Sequence, residues 1–223
     1  MKKIATLALL VLAKAAAADT DAGTIDTPTV ESCTIGNFAN GWHLGGSVGA
    51  LGFSGSQTLR GNSTTAYNFT SWNPIVTIDG KYAMSCGNLY RVIDARAGWI
   101  FMNKKVNASA GYATLKQGFT LGAGFRLGTF INDSTAVFGR LGLNANAQRL
   151  DYVYGGVRKK DRFMQYSFEP GVGFEWAVGA GKTVELLYGY DFGFTTKGSN
   201  SSQHTYSKGP NAQHITVGFA VKL

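Results

Sequence analysis

Five carboxylates and four bases recur along this chain: Asp94, Glu169, Glu175, Glu185 and Asp191 against Arg96, Arg126, Arg140 and Lys222. Paired carboxylates can do general acid–base work where their environments push their proton affinities apart. Arginines stand among these acids, which favours structural ion pairs over a catalytic pair, so no catalytic set is expected. His43, His204 and His214, with Tyr206 beside His204, could bind haem or metal, but they are scattered, and neither metal nor cofactor is expected. Gly179-Ala180-Gly181-Lys182-Thr183 ends like a phosphate-binding loop, yet the first glycine of that motif falls on Trp176, so the run reads as a turn. Arg158, Lys159 and Lys160, with Arg162 close by, read as a loop tip able to contact an anion.

The N-terminus sets the compartment in which any such chemistry would run. Met1-Lys2-Lys3 is basic, Ile4 to Ala13 is apolar, and Ala15 to Ala18 supplies small residues for cleavage, so residues 1–18 form a secretory signal peptide. Without Lys2, Lys3 and Lys14 the exported chain keeps 18 bases against 13 acids, a charge near +5. In a bacterial envelope that surplus suits lipopolysaccharide phosphate rather than nucleic acid. Cys33 and Cys86 are the two thiols, and an oxidising compartment permits one disulfide.

The elements that must position these residues follow from composition and period. Thirty glycines among 223 residues, with 14 Phe and 10 Tyr, argue for aromatic-rich strands rather than helices. Residues 19–40 lack periodicity and read as a periplasmic linker or lumen plug. Beyond them the chain alternates with a period of two. The end is plainest: Ile215, Val217, Phe219, Val221 and Leu223 alternate with Thr216, Gly218, Ala220 and Lys222. The same pattern marks strands near 41–54, 89–101, 106–112, 119–127, 135–148, 164–176 and 184–194. Tight turns are expected at Met102 to Lys105, Thr129 to Ser134 and Gly179 to Lys182, and long loops over 55–88, 149–161 and 195–212. Residues 41–223 therefore read as an all-β, eight-stranded, antiparallel up-and-down transmembrane β-barrel, with short turns in the periplasm and long loops outside. The run Ile75 to Met84, with Asp79-Gly80 as a hairpin turn, leaves ten strands possible.

A soluble barrel also alternates, so the contents of the two faces decide. Asp94, Arg96, Arg126, Arg140, Glu169, Glu175, Glu185, Asp191 and Lys222 all fall on the polar face, which suits a narrow lumen sealed by ion pairs. Trp42, Trp99 and Trp176 fall on the apolar face near the expected periplasmic ends, as a membrane-interface girdle would. The signal peptide, eight alternating strands and apolar last strand resemble the small outer-membrane barrels: the OmpA transmembrane domain, OmpX and the opacity-type surface antigens. The resemblance implies insertion by the barrel-assembly machinery, read from Ile215, Val217, Phe219, Val221 and Leu223, although the last residue is Leu223 where the family signal has an aromatic. It implies a monomer in outer-membrane lipid and lipopolysaccharide, acting as a structural protein, surface antigen or adhesin for a host ligand, with a small diffusion porin as the alternative. Lipid A deacylases of similar outline use a His and a Ser two residues apart on the lipid face. The nearest echo here, His214-Ile215-Thr216, points its polar side chains into the lumen.

Two features strain this plan. Pro170 falls mid-strand, where it removes a ladder hydrogen bond and predicts a bulge or kink. Cys33 is expected at the periplasmic base and Cys86 near the outer rim, too far apart to pair unless residues 24–40 thread the lumen.

Overall fold

The alternation resolves into eight antiparallel strands, each paired with its neighbour in chain order and the last with the first, so the sheet closes on itself. They are β1 (Gly41–Arg60), β2 (Thr64–Ala83), β3 (Leu89–Ala108), β4 (Gly111–Asn132), β5 (Thr135–Tyr154), β6 (Val157–Gly179), β7 (Lys182–Gly193) and β8 (His204–Lys222). This computed structural model describes residues 37–60, 64–108, 111–154, 156–194 and 204–223. The chain divides into Met1–Ser32, outside those residues, and Cys33–Leu223, which holds the barrel. The expected signal peptide and most of the 19–40 segment therefore lie outside the described residues.

The count of eight agrees with the sequence reading, but the strands are apportioned differently. β2 is a full strand of 20 residues in unbroken register with β1 from Gly41–Ala83 to Arg60–Thr64, which removes the ten-strand alternative. Met102 to Lys105 is no turn; it lies inside β3, and the expected third strand at 106–112 straddles the β3–β4 hairpin. The expected long loops at 55–88 and 149–161 are mostly strand, because β1, β2, β5 and β6 run on and connect through a few residues. A tilted strand needs about 9–11 residues to cross a bilayer. Seven of these strands have 19 to 23 residues, so each carries an extension of comparable length beyond the crossing.

At the other end the connections are tight, and both ends of the barrel chain gather there. Gly181 turns the β6–β7 hairpin with φ +67°, and Gly87 turns β2 into β3 with φ +56°, left-handed conformations that glycine adopts without a Cβ clash. Cys86 sits in that second turn, bridged to Leu89, at the turn end rather than the expected outer rim. It is disulfide-bonded, which removes the free-thiol alternative, and the sequence holds one other cysteine, Cys33, outside the described residues. Pro170 causes no bulge. β6 pairs β5 through Leu141–Pro170 in constant register, and its pairing with β7 resumes unshifted at Gly171–Gly189. Register shifts fall elsewhere: at Trp99 to Met102 in the β3–β4 ladder, at Gln117 to Thr120 and Phe130 to Asn132 in the β4–β5 ladder, at Ser54 to Thr58 between β1 and β8, and at Ala177 to Gly179 between β6 and β7.

Candidate functional site

The inward residues of the eight strands fill the lumen in three layers. At the turn end Phe38, Tyr90, Phe130 and Phe138 form an aromatic plug. Phe38 lies 5.0 Å from the Phe130 ring, and Tyr90 stacks on Phe138 at 5.5 Å. Phe38 is placed by Asn37, whose backbone N–H donates to Asp133 O at 3.0 Å and whose side chain donates to Ser134 Oγ at 2.9 Å. Residues 37–40 thus close the base of the barrel.

Above the plug lies the ion-pair layer. Lys81 Nζ contacts Glu175 Oε1 at 2.6 Å, and Tyr90 OH donates to Glu175 Oε2 at 2.5 Å. Arg126 bridges Asp94, at 2.7 Å, and Glu185, with its guanidinium 5.1 Å from the Phe138 ring. Arg140, 1% exposed, bridges Asp94 Oδ1 at 2.7 Å and Glu169 Oε1 at 2.5 Å. Arg96 and Asn144 also contact Glu169, and Asn144 continues to Asp191 Oδ1 at 2.6 Å. Such a layer is stable only as a whole, because each buried charge depends on its partners.

Glycines make the layer possible. A Cβ at Gly142 would stand 2.4 Å from Arg140 Nη1 and one at Gly124 would stand 2.6 Å from Nη2, so the guanidinium lies in a slot between two bare backbones. The third layer is largely apolar: Leu51, Phe53, Phe69, Ile75, Ile100, Met102, Leu115 and Leu150 pack inside the outer half of the barrel, with Gln117 and Gln148 buried at the same level.

Of the nine charged residues expected in the lumen, eight lie in this network. Lys222 is the exception, exposed at the turn end and without an ion pair among the described residues. The sequence reading missed Lys81, Asp79, Asn144 and Tyr90. The two on β2 had no assigned parity, and Asn144 and Tyr90 carry no charge pattern that would mark them. Glu169, Asp191 and His214 bring ligand-type atoms within 4.8 Å of one another. Arg140, Arg96 and Asn144 already hold Glu169, and Ser167 and Asn144 hold Asp191 Oδ1, so these donors are committed to the network.

The outward face is the inverse. Leu44, Val48, Ile78, Ile93, Phe125, Leu141, Val172 and Val217 form an apolar belt, with Val48 59% exposed. Trp42 packs on Tyr82 at 5.0 Å and Trp176 stacks on Phe174 at 6.0 Å, both near the turn end. Trp99 does not join them. It stands ten residues up β3, level with Val76 and Phe119, at the opposite edge of the belt. Trp72 lies nearby on β2 and covers Gly52, so the second edge has its own aromatics. Buried charges inside and bare hydrocarbon outside reverse the arrangement of a water-soluble barrel. The chain forms a closed eight-stranded β-barrel with the inside-out polarity of a membrane-spanning one.

No family model matches the barrel sequence, and no curated protein matches it. Among solved structures it is similar to the outer membrane protein OprG from Pseudomonas aeruginosa, with TM-score 0.49 and 12% identity over 84% of this chain and 99% of that one. It is similar to Neisserial surface protein A, with TM-score 0.46 and 14% identity over 82% and 97%. The attachment invasion locus protein Ail of Yersinia pestis gives TM-score 0.42 and 10% identity over 82% and 99%.

The sequence-predicted basic loop is also relocated. Arg158, Lys159, Lys160 and Arg162 lie on β6, not in a loop, paired with Val153, Tyr152, Asp151 and Arg149 of β5. Alternation sets Arg158, Lys160 and Arg162 on the outer wall and Lys159 on the opposite face.

Proposed function

We propose that this barrel is a non-enzymatic surface protein of the bacterial outer membrane, closed to solutes, whose strand extensions present structural, adhesive or antigenic surface to the outside. The observation that carries this reading is the lumen, filled in series by an aromatic plug, an ion-pair layer and an apolar plug. The space beside Asp79, Lys81, Arg126 and Glu185 is about 20 Å³, room for about one water. That disfavours the diffusion-pore reading. The enzymatic reading is disfavoured because the lumen carboxylates of Asp94, Glu169 and Glu175 are held by Arg and Lys. His214 and Thr216 face inward, away from any lipid ester.

The reading is tested on refolded full-length protein in a planar bilayer, where no conductance steps are expected. Ion-selective steps would overturn the sealed lumen. Cell fractionation with heated and unheated gel lanes tests the location, and a folded protein outside the outer-membrane fraction would overturn it. Changed lipid A in an overexpressing strain, read by mass spectrometry, would restore the enzyme.

A further inference from the structure

On four adjacent strands the outer wall changes character in one step. Rising away from the turn end, the outward residues of β3 run Trp99, Phe101, Asn103, those of β4 run Leu121, Phe119, Lys116, those of β5 run Leu143, Ala145, Ala147, Arg149, and those of β6 run Phe168, Tyr166, Met164, Arg162. The register aligns the last members. Asn103 pairs with Lys116, Lys116 with Arg149 and Arg149 with Arg162, so three cations stand side by side at the upper edge of the belt. One pair higher, Asp151 of β5 sits opposite Lys160 of β6. Arg149 Nε donates to Asp151 Oδ1 at 2.7 Å, and Lys116 Nζ lies 3.7 Å from Oδ2. Burial alone would push the Asp151 carboxyl up, but the Arg149 hydrogen bond and the charges of Arg149, Lys116 and Lys160 hold it below the usual carboxylate range. Asp151 therefore stays ionised and ties two of the cations in place, while the patch keeps a net positive charge. The opposite wall differs: above Trp72 and Gly52 the outward residues are Thr70, Asn68, Ser54 and Asn211, all uncharged.

A lone basic patch is usually a solvated face, but this one stands directly on the hydrocarbon edge. Groups there meet the headgroups of the outer leaflet, and the headgroup chemistry that complements a row of Lys and Arg is a phosphate monoester. We propose that Lys116, Arg149, Lys160 and Arg162 form a one-sided docking site for the phosphates of lipid A in the outer leaflet, organised by Asp151. The site orients the barrel in the lipopolysaccharide layer by one wall and leaves Thr70, Asn68, Ser54 and Asn211 of the β1–β2–β8 wall free. It rests on the outer-membrane placement proposed above.

The test places the full-length barrel in phosphatidylcholine nanodiscs containing bisphosphorylated lipid A and measures lipid A retained per barrel after mild detergent extraction. The variant K116Q/R149Q/K160Q/R162Q should lose about tenfold in retention. The turn-end control K182Q/K222Q should retain lipid A as the parent does. The conservative R149K/R162K variant keeps the charges and should retain most of it, which separates loss of charge from loss of fold. Dephosphorylated lipid A should be retained weakly by the parent. Equal retention by parent and quadruple variant, or equal retention of dephosphorylated lipid A, overturns the proposal. So does a variant that loses binding of a soluble heparin fragment but keeps lipid A, since the row would then serve a soluble polyanion. A barrel that never gives a folded, heat-modifiable band in the nanodisc refutes the membrane placement instead.

Discussion

Arg140 shows how single residues set the stability of this barrel. Its guanidinium holds Asp94 and Glu169 together, and each loses one of its two arginine partners if Arg140 goes, Asp94 keeping only Arg126 and Glu169 only Arg96. Arg140→Met should therefore cost about 3–5 kcal/mol, the scale for breaking a buried ion pair from one side, read as a lowered urea midpoint in lipid vesicles. Gly142→Ala attacks the same group sterically. Its new Cβ would stand 2.4 Å from Nη1, so the guanidinium must leave its slot, at about 1–3 kcal/mol. The two effects share one target, and the double variant should cost clearly less than their sum. Full additivity would show that the slot and the ion pair act independently. The glycine surplus of the sequence thus serves, at Gly124 and Gly142, to admit a side chain too large for a crowded lumen.

At the scale of elements, the outward face of β8 offers a sharp contrast with the strand extensions. Val217 pairs with Val48 and Leu186, and it is 52% exposed to what is lipid in the bilayer. Val217→Arg should destabilise the folded barrel by about 2–4 kcal/mol, the cost of an arginine on the lipid face near the midplane. The same charge is native at position 149, farther up β5, where the wall has left hydrocarbon. A Val217→Arg barrel as stable as the parent in vesicles would mean that the belt does not face lipid. The parity of β1, β3, β4, β5, β6, β7 and β8 within the belt was readable because alternation is strict there. β2 was not, because Asn73-Pro74 and Asp79-Gly80 carry turn signals that the closed ladder overrides. The outer halves were misread for a physical reason. Beyond the belt the lumen becomes apolar and the exterior wet, so the apolar residues change faces, on β1 in unbroken register with β2 and on β3 at the Trp99 to Met102 register shift. On β1 they pass from Val48 outside to Leu51 and Phe53 inside, and on β3 from Trp99 and Phe101 outside to Ile100 and Met102 inside. A reader tracking the apolar face sees that crossing as the end of a strand, and Met102 to Lys105 then passes for a turn. The ion-pair layer was largely legible because it lies within the belt, and it was incomplete where β2 was missing.

For the whole molecule, the three layers act as resistances in series, so closing any one of them is enough to stop ions. Phe38→Ala removes a ring from the basal plug but leaves Arg126, Arg140 and Arg96 spanning the lumen above it. Arg140→Gln thins the middle layer and leaves the outer cluster of Leu51, Phe53, Ile100 and Leu115 dry. Each single-layer variant, refolded in a planar bilayer, should be as silent as the parent. Conductance should arise only when the layers are thinned together, as in Phe38→Ala with Arg140→Gln and Phe53→Ser. A single-layer variant that conducts steadily while still giving the folded gel band would show that one layer alone seals the lumen and that the other two are permeable to water and ions.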